Sequence, residues 1–343
     1  MTVGGTKVIE AGPGGRRSFV SVSPDGRYAV IAVTAADASR LYAFDRDSDR
    51  AMLLHSGSPD LVYSGDWAEK TGNFAFGYYV PEGKRMGSGD IRLFAAGATE
   101  VTRAGCSASR SVASWLPDGN LLIRDSDNLY IVEPSGCGTL RTIDARKMHH
   151  LVVSPSGKTM AYIVRELVYN RDTRTYEADS TLYVSETTGG DAVKVLGDKY
   201  KPRNFAWSPD GSELAFDAEL QDGSGRRAIS IFSLNTRQSS YLVPPSPESP
   251  SQEKPSWSPA GNHILFRSTG QKGDTNFMYR TSGEPFSRAI PWADKDGIPV
   301  YALWVDENML LVAASDGTSA LIEMAQGAEI YRATGLLHAL PPR

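Results

Sequence analysis

The sequence is poor in several features that define other classes of protein. It has two cysteines in 343 residues, too few for a disulfide-rich scaffold. Lys and Arg number 36 against 40 Asp and Glu, a formal net charge of −4, which argues against a general nucleic-acid-binding protein. No apolar run approaches the roughly 20 residues of a membrane-spanning helix. Residues 1–7 contain no apolar core of a signal peptide, so a cytoplasmic protein and the mature segment of an exported one both remain open.

Other absences narrow the fold and the chemistry. No stretch shows sustained 3.6-residue periodicity, so we expect few helices. No Gly-x-Ser-x-Gly motif occurs, which argues against a serine hydrolase. Only five histidines are present, at 55, 149, 150, 263 and 338. The strand prediction below places His263 on the face of the fold opposite the candidate ligand-binding face, so we do not expect a multi-histidine metal site. We expect no cofactor.

The sequence does contain a short phrase that recurs along the chain. Its glycine falls at 26, 72, 119, 157, 211 and 261, and an Asn stands at 308. These six intervals cover 282 residues, or 47 each on average. Five of the six tryptophans lie just before the turn, at a position that we call the slot; it is occupied by Val22, Trp67, Trp115, Val153, Trp207, Trp257 and Trp304.

Each repeat contains four short runs of β-branched and aromatic residues with turn residues between them, which predicts strands. Four strands in about 47 residues are typical of a β-propeller blade. We therefore predict an all-β fold, a seven-bladed β-propeller of four-stranded antiparallel blades, forming a single domain over 1–343. Either the N-terminal run at 7–12 or the run at 329–332 can supply the last strand. We favour the N-terminal strand completing the last blade.

The phrase Trp207-Ser208-Pro209-Asp210-Gly211, together with third strands such as Leu182-Tyr183-Val184 followed by Gly189-Gly190, resembles the repeat of TolB-like β-propellers. A similar pattern occurs in the propeller domains of prolyl oligopeptidases and in some polysaccharide lyases. The resemblance covers nearly the whole chain. It implies a ligand-binding or protein–protein interaction role but is weak evidence for one function, because this architecture hosts many different sites.

In such a fold, the loops that enter the innermost strands share one face with the loops between the second and third strands. Both sets are rich in cationic and aromatic residues here. A positive face of this kind favours an anionic ligand or an acidic partner surface; scattered solvated charges are the alternative. The candidate ligand-binding residues are Arg17, Arg110, Lys147, Tyr169, Arg171, Arg174, Tyr176, Lys201, Arg203 and Lys254.

A pair of adjacent histidines carries the enzymatic alternative. His149 and His150 begin the innermost strand of the fourth repeat, and strand alternation allows only one of them to face the pore. One histidine with Arg203 and Tyr301 could serve as the base of a polyuronate-type carbohydrate lyase. An ordinary loop histidine is the simpler reading.

From the sequence we favour a monomeric, non-catalytic binding protein that takes an unidentified partner protein or an anionic small molecule or oligosaccharide. We expect no nucleic acid and no membrane span. Cys106 and Cys137 are predicted on opposite faces of the fold. Because a disulfide needs Cα atoms within about 7 Å, we expect two free thiols.

Overall fold

The computed structural model describes residues 2–3, 6–7, 16–23, 25–45, 47–68, 70–79, 81–82, 85–86, 90–106, 111–125, 127–170, 174–196, 200–246, 249–270, 275–281, 287–290, 299–304, 306–314, 318–324 and 328–334. They form an all-β structure of antiparallel sheets in two compact units, Met1–Lys147 and Met148–Arg343. Among these residues, no helix has the length and apolar character that a membrane crossing requires.

The first unit holds three four-stranded sheets, with strand orders β3-β4-β5-β6, β12-β11-β8-β7 and β13-β14-β15-β16, and two short hairpins, β1-β2 and β10-β9. The strands are β1 (Thr2–Val3), β2 (Thr6–Lys7), β3 (Arg16–Val22), β4 (Tyr28–Thr34), β5 (Ser39–Asp45), β6 (Arg50–Gly57), β7 (Val62–Trp67), β8 (Phe74–Tyr79), β9 (Pro81–Glu82), β10 (Arg85–Met86), β11 (Arg92–Phe94), β12 (Val101–Arg103), β13 (Ser111–Trp115), β14 (Leu121–Arg124), β15 (Asn128–Val132) and β16 (Thr139–Asp144).

The second unit holds four four-stranded sheets, each formed by four consecutive strands. The strands are β17 (Met148–Val153), β18 (Thr159–Asn170), β19 (Thr175–Glu186), β20 (Val193–Leu196), β21 (Phe205–Trp207), β22 (Glu213–Glu219), β23 (Arg227–Ser233), β24 (Gln238–Tyr241), β25 (Ser251–Trp257), β26 (His263–Thr269), β27 (Thr275–Thr281), β28 (Arg288–Ala289), β29 (Pro299–Trp304), β30 (Met309–Ala314), β31 (Thr318–Glu323) and β32 (Ala328–Thr334). The four-stranded antiparallel sheets that the repeat predicts are therefore present.

The recurrent phrase forms the turn between the first two strands of a sheet. In the fifth sheet, the Ser208 hydroxyl donates to Asp210 (2.6 Å) and accepts from the backbone N–H of Glu213 (2.9 Å). The Gly211 N–H donates to the Ser208 carbonyl, and Gly211 has φ +71°. All six turn glycines have positive φ, a conformation that glycine adopts without steric cost. Asn308 does not adopt it.

The slot tryptophans join consecutive sheets. In four sheets the indole N–H donates to a backbone carbonyl of the preceding sheet: Trp115 to Asp66 (3.0 Å), Trp207 to Val152 (3.1 Å), Trp257 to Ala206 (3.2 Å) and Trp304 to Ser256 (3.3 Å). Each acceptor directly precedes the slot residue of its own sheet. The tryptophan therefore fixes how one sheet stacks on the next.

Apolar clusters fill the space between the stacked sheets. One cluster joins Ile163 and Leu182 of the fourth sheet to Trp207, Leu214 and Phe216 of the fifth. All but Trp207 are 0% exposed. Since both faces of a strand pair are covered, the second strands are apolar on consecutive residues rather than on alternate ones.

The seventh sheet takes its fourth strand from β32, which pairs with β31. This is the run at 329–332 that the sequence offered as one of two candidates. Of the other candidate, only Lys7 lies in the described part of the chain, where it pairs with Thr2. Completion of the last blade by the N-terminal strand stays a prediction.

The expectation of two free thiols is wrong. Cys106 and Cys137 form a disulfide, with Cα atoms 5.0 Å apart. The strand order of the third sheet is nevertheless the predicted one. The error lay in the length of β12: its three residues carry the chain only about 10 Å at ~3.3 Å per residue. Cys106 therefore lies at the same end of the sheets as the β15–β16 turn, which contains Cys137, and Gly105 lies against Gly136.

We predict that Trp207→Phe destabilises the protein by about 1 kcal/mol more than Trp67→Phe. The two tryptophans are similarly buried, at 7% and 6% exposed. The Trp67 indole N–H, however, has no acceptor among the described residues, so its replacement costs packing alone. Urea denaturation followed by circular dichroism measures both free energies of unfolding. Equal losses would contradict the role assigned to the indole hydrogen bond.

We predict that the Cys106→Ser, Cys137→Ser double variant loses about 3–4 kcal/mol of stability, the loop-closure value for a separation of 31 residues. Peptide mapping without reductant should recover the linked pair from the wild type. The melting temperature of the wild type should fall in dithiothreitol, whereas that of the double variant should not move. A wild type with two alkylatable thiols would refute the disulfide.

Candidate functional site

A buried ion pair organises one end of the fifth sheet. Asp217, near the end of β22, is 0% exposed, and Arg227, at the start of β23, is 3% exposed. Arg227 Nε donates to Asp217 Oδ1 over 3.0 Å, and Nη2 bonds the same oxygen. Two charges are buried at low cost only when they are paired and their remaining hydrogen-bonding groups are satisfied.

Those remaining bonds reach the loop that enters the fifth sheet and the bulge within β25 of the sixth sheet. Arg227 Nη2 also donates to the Lys201 carbonyl (2.8 Å). Asp217 Oδ2 accepts from the Asn204 amide (2.6 Å) and from the backbone N–H of Lys254 (3.0 Å). The ion pair therefore fixes the entry to β21 and the bulge of β25.

His150 joins the fourth sheet to the same region. Its Nδ1 lies 2.9 Å from the Arg203 carbonyl, and because a carbonyl only accepts, Nδ1 carries the proton. The ring packs on Phe205, with centroids 4.6 Å apart. A β-bulge lies between His149 and Val152, and His150 has φ +47°. The strict alternation assumed for the two histidines is therefore interrupted, and both are exposed.

We name His150, Lys201, Arg203 and Lys254 the entry cluster. All four are exposed, and three of them, His150, Lys201 and Lys254, have positive φ. Lys201 Nζ lies 3.6 Å from Glu219. Arg203 and Lys254 make no ion pair with any described residue. The backbone is thus fixed by buried groups while cationic side chains point to solvent, an arrangement suited to holding an anionic group.

Three other predicted residues lie on a long hairpin of the fourth sheet. Tyr169 and Tyr176 pair across β18 and β19 near its tip, with ring centroids 5.2 Å apart. Arg174 lies in the turn with φ +54°. The two tyrosines are 49% and 70% exposed. The hairpin and the entry cluster therefore form two separate candidate surfaces of the second unit.

For most of the remaining predicted residues, the structure describes the backbone only or does not describe the residue. Arg17 lies on β3 and Tyr301 on β29, and neither side chain is among those described. Arg110 and Arg171 lie outside the described residues. Lys147 is an exposed residue at the end of the first unit, and His149 is exposed on β17.

One titratable cluster had no signal in the sequence analysis. In the first unit, His55 stacks on Tyr78 at 3.9 Å between centroids, and its Nδ1 lies 3.1 Å from the Tyr63 hydroxyl. Burial lowers the pKa of His55 to about 4 and raises that of Tyr63 to about 12. Both groups are therefore neutral at pH 7. The three residues come from different strands, so no local motif reveals them.

Neither a family model nor a curated protein sequence matches the chain. Solved structures do match, at 12–13% identity. An oligogalacturonate lyase in complex with manganese has a TM-score of 0.60, covering 92% of this chain and 84% of its own. A Mycobacterium tuberculosis puromycin-hydrolyzing peptidase has a TM-score of 0.62, covering 96% and 54%.

TolB from Acinetobacter baumannii matches with a TM-score of 0.50 over 92% of this chain and 62% of its own. At this identity the likeness shows the fold alone: this chain has the fold of β-propeller proteins, with both TolB and a lyase among its structural neighbours. Within the described residues, no group of three or more His, Cys, Asp or Glu is arranged to hold a metal ion.

We predict that Asp217→Asn destabilises the protein by about 3–5 kcal/mol, because the Arg227 charge is left buried without its partner. The matched control is Asp222→Asn, which removes a more exposed ion pair with Arg226 from the adjoining loop and should cost much less stability, because solvent screens that pair. Chemical denaturation measures both. A similar small loss in the two variants would show that the buried pair does not organise the site.

Proposed function

We propose that the seven four-stranded sheets are the blades of one β-propeller that acts as a TolB-like binding protein. The repeat of about 47 residues supports this reading, as do structural neighbours that match over nine-tenths of the chain. Completion of the ring in a single domain belongs to the same proposal.

The ligand in this proposal carries an anionic group, a carboxylate above all, that binds at the entry cluster. The observation that carries it is the Asp217–Arg227 ion pair, which fixes the backbone from which Arg203 and Lys254 present their charges; the Lys201 ammonium beside them lies 3.6 Å from Glu219. A cationic group on a fixed backbone loses less conformational entropy on binding than one on a mobile loop. The carboxylates can belong to an acidic oligosaccharide or to acidic side chains of a partner protein.

Isothermal titration with trigalacturonate and with an oligoglutamate peptide tests the proposal and separates these two sources. We expect saturable binding of one of them that weakens with added salt. The double variant Arg203→Gln, Lys254→Gln should bind about tenfold more weakly. Arg237→Gln is the matched control, since Arg237 is exposed with φ +55°, the same φ as Lys254.

Binding of neither probe, or equal loss in the Arg237→Gln control, would overturn the assignment of the entry cluster. Neutral maltotriose should not bind. Binding of maltotriose with equal affinity would show that charge does not determine recognition.

A second candidate function rests on the tautomer of His150. Because Nδ1 donates to the Arg203 carbonyl, the neutral form of the ring has its lone pair on Nε2, which can act as a base. In a polyuronate lyase it would remove the proton α to the carboxylate as the C–O bond at the β carbon breaks. The leaving oxygen would take a proton from solvent, and a carbon–carbon double bond would form.

Ultraviolet absorbance of the unsaturated product separates the two functions. Binding without product formation supports the binding protein. Product formed by the wild type and lost in His150→Gln, with trigalacturonate affinity kept, supports the lyase.

A further inference from the structure

The hairpin of the fourth sheet extends beyond the sheet itself. Strands β18 and β19 pair over their full twelve residues, from Thr159–Glu186 to Asn170–Thr175. Their outer neighbours stop earlier: β17 pairs only as far as Val164, and β20 only as far as Leu182. We call residues 165–181 the arm; its described part is a two-stranded ribbon.

The arm has two chemically different faces. Strand alternation places Arg165, Leu167 and Tyr169 on one face, where Tyr176 pairs with Tyr169. On this face Leu167 is 72% exposed and Tyr176 is 70% exposed. The other face carries Glu166 and Asp179, directly paired, beside Val168. The acidic groups are thus collected on one face with Val168, which is 47% exposed, whereas Arg165 shares the other face with Leu167 and the two tyrosines.

The outer edges of the arm are also unusual. Within the described part of the chain, no strand pairs with β18 beyond Val164 or with β19 before Leu182 on their outer sides. An exposed strand edge with apolar side chains is a template for a further strand. Proteins protect such edges with charge or cover them with a partner.

We propose that the arm binds an extended, acidic and apolar segment of a partner protein, which adds to an edge of the ribbon as a third strand. Main-chain hydrogen bonds along that edge supply affinity, and alternate side chains of the segment supply specificity. Apolar side chains pack on Leu167, Tyr169 and Tyr176. Acidic side chains lie near Arg165 and Arg174.

Charge favours an acidic segment over a second copy of this chain. Arg165 and Arg174 are exposed, and neither makes an ion pair with a residue that the structure describes. Two arms joined edge to edge about a twofold axis normal to the ribbon would bring like faces side by side, basic beside basic and acidic beside acidic, which is repulsive. This inference deepens the proposed binding function and rests on it for the anionic character of the partner.

The test uses fluorescence anisotropy with a labelled eight-residue peptide, Val-Thr-Glu-Thr-Val-Thr-Glu-Thr (the Val–Glu peptide), because strand alternation then places Val and Glu together on one face of the added strand. We expect saturable binding to the wild type, no binding of the Val–Lys counterpart, and at least a tenfold loss when every second residue is N-methylated, because N-methylation removes the donors of one edge. Leu167→Ser and Tyr176→Ser should each weaken binding at least tenfold. Tyr241→Ser is the control, since Tyr241 is 48% exposed on the outer strand β24.

Other results would overturn the proposal. Equal binding of the N-methylated peptide would exclude strand addition. Failure of the Val–Glu peptide to bind would refute the proposal that the arm binds an acidic segment. Light scattering that shows a dimer lost in Tyr176→Ser would assign the arm to a second copy. Binding to phosphatidylglycerol vesicles in place of the peptide would assign it to a membrane surface. Excess trigalacturonate should not displace the peptide from the arm, so failure at the entry cluster and failure at the arm are distinguishable.

Discussion

The hydrogen bond from a slot tryptophan to the backbone of the preceding sheet is the constraint on which the stacking of the sheets depends. A four-stranded sheet with two apolar faces must have both faces covered by other sheets. Hydrophobic packing is non-directional, so by itself it does not fix the position of one sheet along its neighbour. The indole N–H needs an acceptor when it is buried. Because the acceptor is each time the carbonyl just before the slot residue of the preceding sheet, one residue type sets the same stacking position repeatedly. In each unit, the first four-stranded sheet has valine in its slot, Val22 and Val153.

Beyond this shared bond, individual junctions carry links of their own. The second and third sheets are joined by the Cys106–Cys137 disulfide. The fifth and sixth share the Asp217–Arg227 pair through the Lys254 N–H. At the turn end of the sixth sheet, the Ser258 hydroxyl donates to Glu307 of the seventh over 2.9 Å. The repeated indole hydrogen bond determines how the sheets stack. The disulfide, the buried ion pair and the Ser258–Glu307 bond each occur at one junction only, and they position the loops at that junction.

Features that repeat in every sheet could be predicted from the sequence, whereas features that occur only once could not. The turn glycines, the slot and the four strands recur about every 47 residues, so periodicity alone located them. Asp217 and Arg227 occur once and read as ordinary surface charges, and their burial follows from pairing across a hairpin that no spacing encodes. The positive φ values at His150, Lys201 and Lys254 lack the glycine that would have signalled them. Cys106 was misplaced because periodicity gives the order of strands but not that β12 ends after three residues.

The two candidate surfaces of the second unit differ in what makes them rigid, and this bears on what each can recognise. The backbone of the entry cluster is fixed by buried hydrogen bonds: Arg227 donates to Asp217 and to the Lys201 carbonyl. The cationic side chains of the cluster are therefore attached to a backbone of one fixed geometry. Such a site can discriminate between anions by the spacing of their charges. The arm is held by pairing between its own two strands, with much of its side-chain surface exposed. It gains packing only when a partner covers it, so its selectivity must come from the pattern of side chains along an added strand rather than from the shape of a pocket.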